Sequence, residues 1–333
     1  MASILVTGGA GYVGSVCCRR LLDEGHKVVV IDDLSSGRAA AVPGGASLYI
    51  LDYGDRASVA RLLGHTRIDA VFHFAAKALI PESVSNPGIF FDVNVSSAIA
   101  FLEVLRRFEV KRFVFSSSAA VYGNPQSEFI DEDDPKQPVN SYGESKLMLE
   151  RVLHWYAAAY GWTVAAFRYF NASGATREAG EDHQPETHII PLLLDVAAGE
   201  RPAFEIYGDD YDTPDGTCVR DYVHVSDIAA AHMLALNLPQ RAGTRIYNIG
   251  CGKGYSVREV ICAVERVTGK KVPVRISPRR PGDPSALCAS PARIEREMRW
   301  KPHSSDLHHI ISTAWEWKMD SRTRGTAYER KLA

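Results

Sequence analysis

The stretches SILVTGG, GSVCCRRLLDEG, HKVVVIDD, SLYILD, RASVARLLGH and IDAVFHFAA follow one another through the first 76 residues. Short, nearly unbroken runs of β-branched and apolar residues alternate with longer stretches of helical periodicity. A strand without polar alternation is buried on both faces, and the intervening helices supply the cover, so the pattern predicts a parallel sheet wrapped by helices. The series continues as helix 89–108, strand 112–116, helix 141–160 and strand 163–169. Residues 1–170 are therefore expected to form one doubly wound α/β domain of the Rossmann type.

After Phe170 the texture changes to long polar loops (ASGATREAGEDHQPET, GDDYDTPDGT, SPRRPGDPSA) between helices expected near 188–199, 226–237, 256–268 and 290–299. A smaller α/β domain over 171–333 is expected to close against the C-terminal ends of the first domain's strands, where ligands of such sheets bind. The strand RIYNIG, 245–250, is a candidate to return to the large sheet, and a frayed polar tail is expected after Lys318. A net charge of −2 gives no electrostatic reason to bind nucleic acid or an anionic membrane, which points to small-molecule work. The six cysteines, at 17, 18, 218, 251, 262 and 288, contain no CxxC pair and read as reduced thiols of a cytoplasmic protein. The opening MASILVTGG enters a strand at once, and no run reaches 18 apolar residues, so neither export nor a membrane span is expected.

TGGAGYVGS places Gly8, Gly11 and Gly14 between the first strand and the first helix. Glycines there let the backbone turn tightly, approach a pyrophosphate and expose the helix N-terminus, whose free N–H groups favour negative charge. The second strand ends at Asp32, 18 residues beyond Gly14, where a carboxylate accepts ribose hydroxyls and repels a 2′-phosphate; this favours NAD over NADP. Asp52 and Tyr53 end the third strand, with Asp52 a candidate for the adenine amino group or simply the start of a turn. In NSYGESK, Tyr142 and Lys146 stand four apart on one helix face. Chance alone supplies such a pair roughly 0.5 times in a chain of this composition, so position carries the weight. The pair follows FSSSAAVYG by about two dozen residues, within the domain that holds the glycine loop. A tyrosine is a base near neutral pH only when its phenolate is favoured, and the lysine one turn away, with a positive nicotinamide ring nearby, supplies that bias; Ser118 is placed to hold a substrate hydroxyl.

These motifs, together with IDDLSSG, HFAAKALIPESV, RYFNASGA, GTCVRDYVHVSDIA, YNIGCGKGYSV and PRRPGDP, make the chain resemble the extended short-chain dehydrogenases/reductases, and within them the UDP-glucose 4-epimerases (UDP-galactose 4-epimerases). The match runs nearly end to end. The resemblance implies Tyr142 as catalytic base, Lys146 as its pKa-lowering and ribose-binding partner, and Ser118 as the residue orienting the sugar 4-hydroxyl. It implies NAD contacts from Gly8, Gly11, Tyr12, Val13, Asp32, Asp52, Tyr53, Phe74, Lys77, Asn94 and Tyr169. Asn171, Arg220, Arg280 and Asp283 match residues that hold a UDP group, two guanidiniums being suited to a diphosphate. Leu287 stands where relatives can carry a bulkier tyrosine, and its smaller size is expected to admit a 2-acetamido sugar; His188 stands where some have an asparagine near the sugar. In HFAAKALIPESV, Pro81 and its neighbours depart from the family pattern, which leaves the part played by Lys77 open.

Dehydratases that resemble this chain carry acidic residues directly after the strand-end hydroxyl, whereas this chain has Ala119 and Ala120. The reaction implied is transient oxidation of carbon 4 to a 4-keto sugar, rotation, and reduction on the other face, with NAD retained. A 4-epimerase of another nucleotide sugar (UDP-GlcNAc/GalNAc, UDP-xylose/arabinose or UDP-glucuronate), a net dehydrogenase or dehydratase, and a non-enzymatic dinucleotide sensor stay open at this point. His183 and His188 do not read as a metal set, and this chemistry needs none. The family's dimers pair two helices per subunit, here 89–108 and 141–160.

Overall fold

The computed structural model describes residues 1–332 apart from 184, 281 and 282, and side chains as far as residue 321. The first half runs β1 (Ser3–Thr7), α1 (Tyr12–Asp23), β2 (Lys27–Asp32), β3 (Ser47–Ile50), α2 (Arg56–His65), β4 (Ala70–His73), α3 (Ile80–Ser85), α4 (Pro87–Phe91), α5 (Ser97–Arg107), β5 (Arg112–Ser118), α6 (Ser141–Tyr160) and β6 (Thr163–Tyr169). Then follow β7 (Asn171–Ser173), α7 (Ile189–Ala197), β8 (Phe204–Tyr207), β9 (Val219–His224), α8 (Val225–Ala235), β10 (Gly243–Ile249), β11 (Gly254–Ser256), α9 (Val257–Thr268), β12 (Val274–Ser277), β13 (Ala286–Leu287), α10 (Ala292–Met298) and α11 (Leu307–Leu332).

Seven parallel strands form the main sheet in the order β10-β6-β5-β4-β1-β2-β3. The unbroken apolar strands explain it, because successive residues feed opposite faces. Leu5, Ile31, Val71, Phe113 and Val164 pack with Val59 of α2, Phe101 and Leu105 of α5, and Leu149 and Leu153 of α6. Ile4, Val30, Phe72, Val114 and Phe167 pack with Leu21 of α1, Ile228 and Ala231 of α8, and Ile294 and Trp300. β10, which contains most of RIYNIG, pairs with β6 at the sheet edge, and α8 lies on α1, so the chain crosses back to the first sheet after leaving it.

β9 pairs with β7, β11 and β13 in a smaller sheet, and β8 with β12 in another. A third apolar cluster joins Leu193 and Leu194 of α7, Ile206 of β8, Val260 and Val264 of α9, and Ile310 and Ile311 of α11. End signals fix several helices: Asp55 accepts from Ala57 and Ser58 N–H at the start of α2, Asn140 Oδ1 accepts from Gly143 N–H in α6, and Ser256 and Glu259 form a reciprocal capping box in α9.

Two expectations need correction. The single helix 89–108 is α4 and α5 joined by a π-turn over Asp92–Ser96. The run Pro87–Arg107 is long and apolar enough to cross a membrane by composition, yet Phe90, Phe101, Leu102 and Leu105 are fully buried in this fold. The tail expected to fray after Lys318 is helical through Leu332. Its start is held by Ile310 and Ile311 in the third cluster, and Lys318 Nζ is itself tied to Asp195 and Glu200, 2.7 Å from each.

Candidate active site

The strand order reverses direction between β1 and β4, so the loops leaving these two strands diverge and open a crevice. Both line one cleft of about 810 Å³, which runs from the glycine loop past the ends of β4, β5 and β6 to β9 and β13. At its floor, a Cβ on Gly8 would lie 2.5 Å from Ala75 N, and one on Gly14 would lie 2.1 Å from Gly8 O. Only glycine permits both approaches, and Gly8 also needs its φ of +73°. No side chain caps α1, whose N-terminus follows Gly11, so its first N–H groups remain available to an anion.

Asp32 closes the adenosine side of this floor. It is 8% exposed, and its two oxygens accept from Ala10 N–H and Leu34 N–H, both at 2.9 Å. Burial pushes its carboxyl above the ordinary range while those two donors pull it back. The uncapped helix, the cradle without Cβ atoms and the terminal acid together fit a dinucleotide with a free ribose diol, which is NAD. Gly8, Gly11, Tyr12, Val13, Asp32, Tyr53, Phe74, Lys77 and Tyr169 all line the cleft.

Asp52 and Asn94, expected beside them, do not. Asp52 is exposed and Oδ1 accepts from Gly54 N–H at 2.7 Å, which makes it a turn former. Asn94, 2% exposed inside the π-turn, accepts from Lys77 N–H at 2.8 Å, donates to Lys77 O at 3.0 Å and donates to Ser145 Oγ at 3.0 Å. It therefore ties the loop after β4 to α6, and no propensity in the sequence marks that role.

Ser118, Tyr142 and Lys146 converge in the middle of the cleft. Ser118 ends β5, and its Oγ accepts from Ala120 N–H at 3.1 Å and hydrogen-bonds the Tyr142 hydroxyl. Lys146 Nζ donates to Ser116 O at 2.7 Å and stands 5.8 Å from the Tyr142 ring centre and 5.0 Å from that of Phe115. Burial holds the Lys146 amine down to about 7, with Glu150 opposing, and it pushes the Tyr142 hydroxyl up, with Ser118 opposing. In the protein by itself burial is the larger influence on the Tyr142 hydroxyl, so the bias toward the phenolate expected from Lys146 and the positive nicotinamide ring together is not supplied without the cofactor. Ala119 and Ala120 both line the cleft and bring no carboxyl to it.

At the far end, Asn171, His188, Arg220, Asp283 and Leu287 line the cleft. Arg220 is held by its own strand, Nη1 donating to Val219 O at 2.8 Å, and Nη2 lies 3.9 Å from Asp283 Oδ1. Arg280 does not join it; its guanidinium stacks 3.8 Å over the Tyr207 ring outside the cleft. His188 Nδ1 lies 2.8 Å from Glu181 and 2.9 Å from Glu186, so only Nε2 is free for a ligand. Burial draws this imidazole down, but the two carboxylates outweigh it and raise it to about 10. His183 also lines the cleft beside Glu181, which the sequence reading of the two histidines did not foresee.

A Rossmann sheet that carries a serine, a tyrosine and a lysine beside its dinucleotide floor defines a short-chain dehydrogenase/reductase. The chain belongs to the NAD dependent epimerase/dehydratase family, whose pattern matches residues 4–250. It is 46% identical over 318 residues to the UDP-glucose 4-epimerase of Lacticaseibacillus casei, covering 95% of this chain and 96% of that one. Among solved structures it is similar to the Brucella ovis UDP-glucose 4-epimerase in complex with NAD, with a TM-score of 0.91, 43% identity, and 95% of this chain and 98% of that chain covered. It is also similar to the Bifidobacterium longum enzyme in complex with NAD+ and UDP, with a TM-score of 0.91, 37% identity, and 96% and 98% covered.

Proposed function

We propose that this chain is an NAD-dependent epimerase that interconverts UDP-glucose and UDP-galactose at carbon 4. The observation that carries the reading is the Ser118–Tyr142–Lys146 group, which stands between the dinucleotide floor and the arginine end of a single cleft. When bound, NAD supplies a reversible hydride acceptor and a positive ring, so that carbon 4 passes through a ketone and is reduced on its other face. Tyr142 takes the proton of the 4-hydroxyl and later returns it, and Ser118, already bonded to the Tyr142 hydroxyl, would hold the sugar oxygen in line. Lys146 binds from Ser116 O beneath them and adds positive charge that favours the phenolate.

Arg220 and Asn171 hold the UDP portion. Anchoring there leaves the sugar free to turn, and binding energy far from the reacting carbon serves the chemical step. Ala119 and Ala120 offer no acid to expel an oxygen, which sets epimerisation apart from elimination.

The direct test is incubation with UDP-galactose and no added NAD, followed by separation of the products. Conversion to UDP-glucose without release of NADH or a 4-keto sugar is expected. Tyr142→Phe should lower kcat by about 10²–10⁴-fold; near-normal turnover of that variant would overturn the assignment.

We further propose that the protein acts in the cytoplasm as a homodimer. Its six unbridged cysteines suit a reducing compartment. Trp155, 71% exposed, and Tyr160, 45% exposed, give α6 an apolar outer face that a second copy's α5 and α6 would cover. Sedimentation at micromolar concentration tests the pairing, and a monomer would refute it.

A further inference from the structure

Asp221, the third residue of β9, is a fully buried carboxylate at 0% exposure, and among the described residues no lysine or arginine forms an ion pair with it. Backbone N–H groups meet its charge instead. Oδ1 accepts from Cys251 N–H at 2.8 Å, and Oδ2 accepts from Gly252 N–H at 2.9 Å and from Ala289 N–H at 3.1 Å. Burial raises the carboxyl to about 6 against these donors, so at neutral pH it is ionised and can only accept. The chain around it is shaped to its oxygens: a Cβ on Gly250 would lie 2.7 Å from Asp221 Oδ2 and 2.6 Å from the Ala289 Cβ. A charge held so deep without a counter-charge is costly, and it asks for a task that an apolar residue would not perform.

Its neighbours show the task. Successive strand residues face opposite sides, so Asp221 points into the protein while Arg220 and Tyr222, on either side of it, line the cleft. The donors come from two separate stretches. Cys251 and Gly252 follow directly on β10, the edge strand of the main sheet, and lead into β11, where Gly254 stands opposite Asp221. Ala289 stands just beyond Leu287, the end of β13, whose own pairing with β9 spans only Ala286 and Leu287. The carboxylate therefore joins the sheet that carries the dinucleotide floor to the strand pair that carries Arg220 and Leu287.

We propose that Asp221 is a positioning residue that sets Arg220 and Leu287 in place relative to the main sheet, so that a bound UDP-sugar presents carbon 4 to Tyr142. The proposal rests on the reading of Arg220 as an anchor of the UDP portion. Asp221 does not line the cleft and acts through the ends of β10 and β13. Loosening it weakens the grip on UDP first, while the Ser118–Tyr142–Lys146 group on β5 and α6 keeps its own bonds.

The test is calorimetric titration of the full, NAD-loaded chain with UDP alone, beside KM and kcat for UDP-galactose. Asp221→Ala removes these bonds and should raise the UDP Kd at least about tenfold, with the loss in turnover falling on KM more than on kcat. Asp221→Asn keeps one acceptor oxygen for Gly252 and Ala289, so its UDP Kd should fall between those of the wild type and the alanine variant. A lower Tm in both variants with Kd and KM unchanged would mean that the carboxylate only stabilises the fold, and overturns the proposal; so does a loss confined to kcat. If Asp221→Ala does not fold, Asp221→Asn decides: a Kd raised at least about threefold upholds the proposal and an unchanged one overturns it. Failure of the wild-type chain to bind UDP would instead remove the reading of Arg220, and the proposal falls with it.

Discussion

Ser118 is the last residue of β5 and Leu287 the last of β13, and both line the same cleft. The serine was legible because three hydroxyls at the end of an apolar strand are unusual, and so were Tyr142 and Lys146, whose spacing places them on one helix face. Arg280 lies outside the cleft, since a side chain at the right position in the chain can still point elsewhere and this one stacks on Tyr207; Asp52 closes a turn, one of the two readings its position allowed. Leu287 offers a residue-scale test of substrate range. Replacing it by tyrosine adds a ring to the cleft wall, and added bulk discriminates by about 1–3 kcal/mol, or 10–200-fold. Leu287→Tyr should therefore lower kcat/KM for UDP-N-acetylgalactosamine at least about tenfold more than for UDP-galactose. Equal losses on both substrates would remove Leu287 as the determinant.

Among the elements, α6 was readable to the residue because Asn140 caps its start and Gly161, with φ +66°, ends it. The π-turn between α4 and α5 was not, because it follows from what Asn94 holds across space, and apolar periodicity continues through it. The two- and three-residue strands β7, β11 and β13 are too short to show any period. One buried pair joins the elements under the catalytic strand: Arg168 of β6 donates to Glu150 of α6 through Nε at 3.0 Å and Nη2 at 2.7 Å, and Ser117 of β5 donates to Glu150 Oε1 at 2.5 Å. Arg168 Nη1 also reaches Tyr122 Oη at 2.8 Å, and that hydroxyl donates to Asn248 of β10 at 2.7 Å. Both charged side chains are almost fully buried, so removing one strands the other. Arg168→Met should cost about 3–5 kcal/mol by urea unfolding, and adding Glu150→Leu should recover much of it, because the loss is the penalty of an unpaired buried charge. A cost below about 1 kcal/mol for the single variant would show that the pair is not what locks α6 to the sheet.

For the whole molecule, the doubly wound sheet was legible because burial on both faces leaves its mark on its central strands β1, β2, β4, β5 and β6, while the edge strand β3 and the smaller sheets are partly exposed and carry no such pattern. Burial on that scale also traps titratable groups, and it sets how the protein responds to acid. His73, among Phe101, Phe113 and Phe115, is held down to about 3 by burial and by the charge of Lys146. Burial likewise holds His232, among Phe72, Phe74 and Phe167, and His224, beside Thr313, down to about 4. All three are neutral in the folded protein at pH values where the unfolded chain, with histidines near 6.5, takes up protons. Above about pH 6.5 the two states bind equally and no stability is lost; as pH falls from there toward 4, the unfolded state gains protons that the folded state cannot. Asp221 works the other way, because burial raises its carboxyl to about 6 against N–H donors from Cys251, Gly252 and Ala289, and acidification below that value relieves it. Asp32 and Glu132, raised by burial as well, act in the same direction as Asp221, but the three histidines are displaced further and leave a net loss on the order of several kcal/mol, a large fraction of ordinary domain stability. The urea midpoint should therefore fall steadily from pH 6.5 to 4, and His232→Phe should make the fall shallower even though it leaves the Tyr169 hydroxyl, 2.8 Å from His232 Nε2, without its partner. A midpoint flat across that range would mean that these histidines are reached by water and protonate without opening the core.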